Sequence, residues 1–257
     1  MIIFDIKGKF AHFRKFYSNS SSLSYDFPPR TTVEGIIASI LGYDFDSYYD
    51  MLNLKHAIIA VSTQSRIRKY IGTLNYMKIV DSNNFYKNLS KSGYDYTQIP
   101  YEMIIPDSFV NQIVYRIFFH STQEIMDDLS QKIKNNIPVF PVSLGTANMI
   151  ASLNYIDDAK IKKIYSENLI SVRLPTPTKF IKKIKLENNN LRKEIVPVNY
   201  DSNRNPKTCE YVYDVNNNYY KINTDKSVLQ VNYRENDVEK EEMLLVPEVD
   251  SNEFFCS

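Results

Sequence analysis

The chain has no tryptophan, six glycines, two cysteines and three histidines among its 257 residues, and each shortage removes a class of chemistry. Six glycines, spread singly, leave no phosphate-cradling loop and no dinucleotide fingerprint. Cys209 and Cys256 lie far apart and match no ligand spacing, so neither a zinc site nor any other metal or cofactor is expected. Free thiols fit a reducing, cytoplasmic setting. No GxSxG or CxxC element occurs. No apolar run approaches membrane-spanning length and none follows a basic start, so no membrane segment or leader is expected. Charge of one sign is lacking too: the formal net charge is +1. A general polyanion coat is thereby excluded, and any nucleic acid must be held by a local patch.

What remains is a composition ordinary for a globular protein that can bury a sizeable core, with 43% hydrophobic and 24% charged residues. Residues 1–6 alternate as a strand does, with Ile2, Phe4 and Ile6 on one face. A long polar loop follows to Arg30, and loops of that length in compact domains are usually functional. The next segment is the clearest helix. Val33, Ile36, Ile37, Ile40 and Leu41 share a face, Gly42 supplies the stop, and Thr31 with Glu34 has the spacing of a capping box.

Residues 55–62 and 112–120 read as strands, and 64–80 as a hairpin arm carrying cations, passing into the polar stretch 81–96. Ser121 and Glu124 offer a second capping box before a helix with Ile125, Leu129 and Ile133 on one face, ended by Pro138. A turn with a short helix is expected over 141–153, leading into a strand at 150–156. The order strand, helix, strand, strand, helix, strand is the split βαβ pattern of a ferredoxin-like, RRM-like domain. Beyond residue 157 short β-like runs are separated by Asn, Asp and Pro turns, with asparagine clusters at 188–190 and 216–218. The expected fold is therefore α+β: a ferredoxin-like domain over 1–160 with a thumb-like hairpin, then a β-rich domain over 161–257.

The loop from Gly8 to Arg30 interleaves Lys9, His12, Arg14, Lys15 and Arg30 with Phe10, Phe13, Phe16, Tyr17 and Tyr25. Such alternation can neutralise phosphates and stack on bases; it can equally be a solvated strap pinned by its aromatics. Binding is the expected role, because cations gather here in a nearly neutral chain. Arg30 and Thr31 open the helix, where free N–H groups favour an anion. A second patch holds Arg66, Arg68, Lys69 and Tyr70, then Tyr76 and Lys78. Lys179, Lys182, Lys183 and Lys185 form a third group, read as a solvated face. Asp44, Asp46 and Asp50 follow a helix stop and read as surface residues.

Catalytic options are few. His56 and His120 sit in or at the end of β runs. His12 lies near Lys15 and Tyr17, residue types that a metal-independent ribonuclease can use to activate a 2′-hydroxyl.

The segment GKFAHFRKFYSNSSSLSYDFPPRTTVEGIIASILG resembles the opening of the Cas-five-type subunits of type I CRISPR surveillance complexes, members of the RAMP superfamily. QIPYEMII at 98–105 resembles the family's middle and FPVSLGTANMIASL at 140–153 its proline-glycine turn, while IVPVNYDSNRNP with EYVYD resembles the C-terminal half of the I-B-like branch. The resemblance implies a non-catalytic subunit of the Cascade complex in antiviral defence that caps and positions the 5′ handle of crRNA. It would contact the backbone and large subunits, and target DNA only indirectly through the complex. By position, the handle would meet Lys9, Arg14, Lys15, Arg30, Thr31 and Thr32, with the Arg66–Tyr76 region as the arm. In the I-C branch the equivalent subunit cuts precursor crRNA, so a metal-independent endoribonuclease is the alternative. The glycine-rich loop common in RAMP proteins is not visible near the C-terminus, so a reduced β-rich half is expected there.

Overall fold

A computed structural model describes residues 1–77, 83, 85, 86, 96–200 and 204–247. Lys78, most of the polar stretch 81–96 and Cys256 lie outside the described residues. The centre of the structure is a four-stranded sheet. Its strands are β1 (Ile2–Gly8), β2 (Ile58–Thr63), β5 (Ile113–His120) and β6 (Ala151–Asp158), in the order β2-β5-β1-β6. Every neighbouring pair is antiparallel. Helix α1 (Arg30–Leu41) connects β1 to β2, and helix α2 (Gln123–Lys134) connects β5 to β6. Between β2 and β5 the chain leaves the sheet as the hairpin β3 (Ile67–Met77) and β4 (Tyr96–Pro106), paired without a break from Ile67↔Pro106 to Met77↔Tyr96.

Period-two alternation decides what lies on each side of the sheet. Ile2, Phe4 and Ile6 join Val33, Ile36, Ile37 and Ile40 of α1 and Leu129 and Ile133 of α2 in one core. The opposite face is buried as well: Met1, Ile3, Ala60 and Phe118 pack against Leu229, Val231, Tyr233 and Leu244. Those last residues belong to β14 (Val228–Glu235) and β15 (Val238–Leu244), which form a three-stranded sheet with β7 (Lys160–Ile164). Two more small sheets complete this half. One is β10 (Lys183–Lys185), β13 (Tyr220–Asn223) and β8 (Ile170–Val172). The other is β11 (Leu191–Tyr200), β12 (Pro206–Asp214) and β9 (Thr176–Pro177). Val196, Val198, Tyr211 and Tyr213 of β11 and β12 enter the helix-side core. Among the described residues no helix is long and apolar enough to cross a membrane.

Three local expectations are corrected. Neither capping box forms. Helix α1 already begins at Arg30, so Thr31 lies inside the first turn, and Pro29 is the N-cap without a side-chain bond. Glu34 turns back instead to form a fully buried ion pair with Arg30. At α2 the N-cap is Thr122, also without a side-chain bond, and Ser121 donates to the carbonyl of His56 at 2.8 Å. The short helix expected within 141–153 is absent; that segment is a turn closed by the Ser143↔Ile150 bridge. Gly42 behaves as its position predicts: it ends α1 at φ 85°, and a Cβ there would come within 2.9 Å of Val139.

The C-terminal hairpin is tied to the sheet by one buried arginine. Arg116, 2% exposed, grips its cross-strand neighbour Asp5 with Nε at 2.8 Å and Nη2 at 3.0 Å. Its Nη1 reaches Glu235 at 2.9 Å and the Tyr233 hydroxyl at 3.1 Å. Removing the arginine strands the buried Asp5 carboxylate, so Arg116→Met is expected to destabilise the chain by about 3–5 kcal/mol in urea unfolding. Hydrogen bonds from Arg116 hold Glu235 down to about 2, from an ordinary 4.5. Because the folded value is the lower one, the Glu235 contribution is complete above pH 4.5 and is lost as pH falls toward 2. Urea midpoints of Glu235→Gln should therefore fall less than those of the wild type across that window.

Candidate nucleic-acid interface

The loop between β1 and α1 is long and polar, yet it is held by backbone pairing. Ala11 and Ile104 exchange hydrogen bonds of 3.0 and 2.8 Å, and Ser22 donates to Pro100 while accepting from Glu102. The outer edge of β4 thus serves as the floor of the loop. The loop also pairs with itself, Tyr25 N–H to Phe13 O at 2.9 Å and Lys15 N–H to Leu23 O at 2.8 Å. Phe13 and Tyr25 are buried anchors, whereas Phe10, Phe16 and Tyr17 are about half exposed.

A second support comes from the turn at 141–150. His12 N–H donates to Leu144 O at 3.0 Å, which brings the two backbones together. Gly145 sits at φ 104°, and a Cβ on it would stand 1.9 Å from the His12 carbonyl oxygen. Both the backbone angle and the contact require glycine there.

Carboxylates sort the expected cations into two groups. Asp26 receives Lys69 at 2.9 Å, Arg192 at 2.8 Å and the Tyr213 hydroxyl at 2.7 Å. Lys69 also reaches Glu102 at 3.1 Å and Ser24 O at 2.8 Å. Glu194 of β11 accepts from both Lys15 and Tyr17. Burial and the Glu194 carboxylate push the Tyr17 phenol above its ordinary range. Arg30 is 5% exposed and donates to the carbonyls of Leu52 and Ala57 at 2.9 and 2.8 Å besides pairing with Glu34. The N–H groups of Thr32 and Val33 turn back to Pro29 O, at 2.9 and 3.1 Å. Thr31 is buried and Thr32 half-buried. Lys15, Arg30 and Lys69 are therefore paired with carboxylates of the protein itself, and Thr31 is buried.

His12 is also internal, 4% exposed and stacked on Tyr101 with ring centres 4.2 Å apart. Its Nδ1 lies 2.7 Å from Glu102 O and its Nε2 3.0 Å from Ser22 Oγ. Burial lowers its pKa. A neutral imidazole with both nitrogens occupied is poorly placed to take a proton from a substrate.

Lys9, Arg14, Arg66 and Arg68 are exposed, with no ion pair to another described residue; Arg14 donates only to Ser18 O at 3.3 Å. Arg66, Arg68, Tyr70 and Tyr76 have the same strand parity, so their side chains leave one face of the hairpin, while Lys69 points to the acidic anchors. Tyr70 is 54% and Tyr76 47% exposed. The Tyr70 ring lies over Gly72, where a Cβ would meet it at 3.3 Å. Flat rings flanked by guanidinium groups are suited to unpaired bases and their phosphates. Among the described residues no group of three or more His, Cys, Asp or Glu side chains could hold a metal ion.

A family model described as CRISPR-associated protein (Cas_Cas5) matches residues 1–208. The chain belongs to this Cas5 family. Two solved structures resemble the Cas5 chain in fold. A chain of the Type III-B Cmr-beta complex bound to cognate target RNA and AMPPnP has a TM-score of 0.54 and 13% identity, with 86% of each chain covered. A CRISPR protein from Archaeoglobus fulgidus has a TM-score of 0.50 and 12% identity, over 95% of this chain and all of that one. No curated protein sequence matches the chain.

The anchors Asp26, Glu102, Glu194, Arg192, Tyr213 and Gly145 did not stand out in the sequence. Their partners are distant in the chain, as with Lys15 and Glu194, 179 residues apart. Only Gly145 carried a signal, as one of six glycines inside a segment resembling a family turn. Gly145→Ala is expected to cost about 1–3 kcal/mol through backbone strain and to lift the turn from His12. Faster limited proteolysis between residues 9 and 25 would report that release.

Proposed function

We propose that this Cas5 family chain is a non-catalytic crRNA-binding subunit of a type I, I-B-like surveillance complex. In it the chain caps the 5′ handle of crRNA and contacts the backbone and large subunits in antiviral defence in the cytoplasm. One observation carries the reading: Arg68 leaves the hairpin on the same side as Tyr70, and Arg14 and Arg66 stay exposed, while neighbouring cations are neutralised by buried carboxylates. The chain thus offers a few cations at a rigid place, as a chain of net charge +1 must if it is to hold RNA. The sheet order β2-β5-β1-β6 with two helices on one face supports a ferredoxin-like reading of residues 1–160, with β3–β4 as the thumb. Residues 161–257 are then a β-rich second part that props the loop through Glu194 and Arg192. Target DNA is reached through the assembled complex.

The alternative, metal-independent cleavage of precursor crRNA, needs a base and an activated hydroxyl. His12, Lys15 and Tyr17, the residue types that raised it, are each engaged in internal bonds. Repeat RNA incubated with wild type or His12→Ala in EDTA should remain intact; cleavage dependent on His12 would overturn the non-catalytic role.

Handle affinity measured by fluorescence anisotropy across a salt series tests the main reading. Arg14, Arg66 and Arg68→Ala together should weaken handle binding while leaving the melting temperature near that of the wild type. The slope of log affinity against log salt should flatten by about 0.7 for each phosphate that the variant no longer neutralises. Lys15→Ala and Arg30→Ala should instead lower the melting temperature. If the triple variant binds handle RNA as the wild type does, or the wild type does not distinguish it from a scrambled sequence, the assignment fails.

A further inference from the structure

The strap that follows α2 carries a pattern that folded chains ordinarily avoid. Ile137, Pro138, Val139, Phe140 and Pro141 are five apolar residues in a row. Ile137 is 57%, Val139 52% and Phe140 50% exposed, and Pro141 is exposed as well. An exposed apolar run of this length is out of place unless it serves a contact. The run is also held still. Val139 N–H donates to Ile40 O at 3.1 Å and Phe140 N–H to Ser39 O at 3.0 Å, so the strap caps the last carbonyls of α1. Ile137 N–H donates to Lys132 O at 2.9 Å, and the two prolines have no N–H to give. With every backbone donor used or missing, no strand can add here through them, and contact falls to the side chains. Two prolines and three fixed amides leave little freedom to lose on binding.

Carboxylates border the strap. Val139 lies on Gly42, which joins the strap to the loop after α1. Residues 42–54 and 121–131 hold three carboxylates each and no lysine or arginine. Burial, then the carboxylates of Asp128 and Glu124, raise the Tyr43 phenol, which sets both acids near the residue after Gly42. Some of this charge is answered. Lys132 meets Asp128 at 2.6 Å, and Arg204 pairs with Asp46. Asp127 lies on the Met1 side of α2, and Asp50 sits beside His56 at the far end of the loop. Asp44 and Glu124 remain exposed, with no ion pair to another described residue. The last turn of α1 adds no basic residue to offset the negative end of the helix.

The same loop holds Phe45 outward at 84% exposure while its neighbours are packed. Tyr48 lies against Gly35 of α1, where a Cβ would meet its hydroxyl at 3.3 Å, and Tyr49 donates to Asp46 at 2.8 Å. Arg204 shows within the chain what such a loop accepts: its guanidinium pairs with Asp46 and lies over the Phe45 ring at 4.8 Å. Nucleic acid is the wrong partner for this side, because carboxylates repel phosphate. We infer that the strap 137–141 and the acidic loop beside it form a docking surface for a protein partner, one whose contacting segment sets an apolar anchor between lysines or arginines. Neither the loop nor the hairpin of the handle site takes part, so the inference does not rest on the handle reading.

The test uses the full chain with a labelled amphipathic peptide of leucine and lysine, read by anisotropy across a salt series. Peptides with glutamate in place of lysine, or serine in place of leucine, are parallel probes and should bind at least about ten-fold more weakly. Ile137→Ser with Phe140→Ser should lower affinity for the leucine–lysine peptide about ten-fold or more, as loss of an apolar anchor does. Asp44→Asn with Glu124→Gln should lower it at low salt and flatten its salt dependence. Both variants change exposed side chains, so melting temperature and handle binding should stay at wild-type values. The Arg14, Arg66 and Arg68 triple variant should keep the peptide, which separates failure here from failure of the handle assignment. The inference is overturned if the strap variant keeps wild-type affinity or if the glutamate peptide binds as well as the lysine one. It is equally overturned if handle RNA displaces the peptide, which would place both on a single surface.

Discussion

Asp26 is the carboxylate on which the three parts of the interface meet. It lies at the end of the loop between β1 and α1, forms an ion pair with Lys69 of the hairpin and takes two donors from the C-terminal strands (Arg192 and Tyr213). Glu194 and Glu102 extend the arrangement on either side, to Lys15 and Tyr17 and to Lys69 and Ser24. Buried carboxylates need partners, and the partners here come from the loop, the hairpin and the C-terminal strands. Neutralisation therefore does two things together: it fixes the loop against hairpin and β11, and it decides which cations remain outside.

This arrangement explains how a chain with almost no net charge can present a charged ridge. Lys15, Arg30 and Lys69 are turned toward carboxylates, and Arg68 is left on the same hairpin face as Tyr70. The same division appears at Arg116, an arginine kept inside to bind Asp5 and Glu235, where it joins two layers of the fold. The two buried arginines, Arg30 and Arg116, thus hold the protein together from within.

The elements of the central sheet were legible in the sequence because short-range periodicity sets them. Ile2, Phe4 and Ile6 alternate, α1 shows its apolar face and its Gly42 stop, and residues 112–120 read directly as a strand. The capping boxes failed because Thr31 lies two residues past the N-cap Pro29, where burial beside Arg30 decides the geometry of Glu34, and because Ser121 lies one residue before the N-cap Thr122. The candidate site was half legible. The clustering of cations with aromatics singled out the two segments that the structure brings together, but a side chain's partner 179 positions away leaves no local trace, so Lys15 could not be told from Arg14. Burial of Ile3 on the second face of β1 was likewise hidden, since its cover is supplied by strands more than two hundred residues later.

That late cover sets the timing of folding during synthesis. Four strands and two helices are complete by Asp158, but the face bearing Ile3, Ala60 and Phe118 waits for Leu229, Val231 and Leu244. Until then a nascent chain carries a nearly finished sheet with one oily side bare, a state prone to aggregation. A ribosome stalled anywhere in the β-rich half would leave behind a sticky product, even though Arg14, Arg66, Arg68 and Tyr70 had already been made.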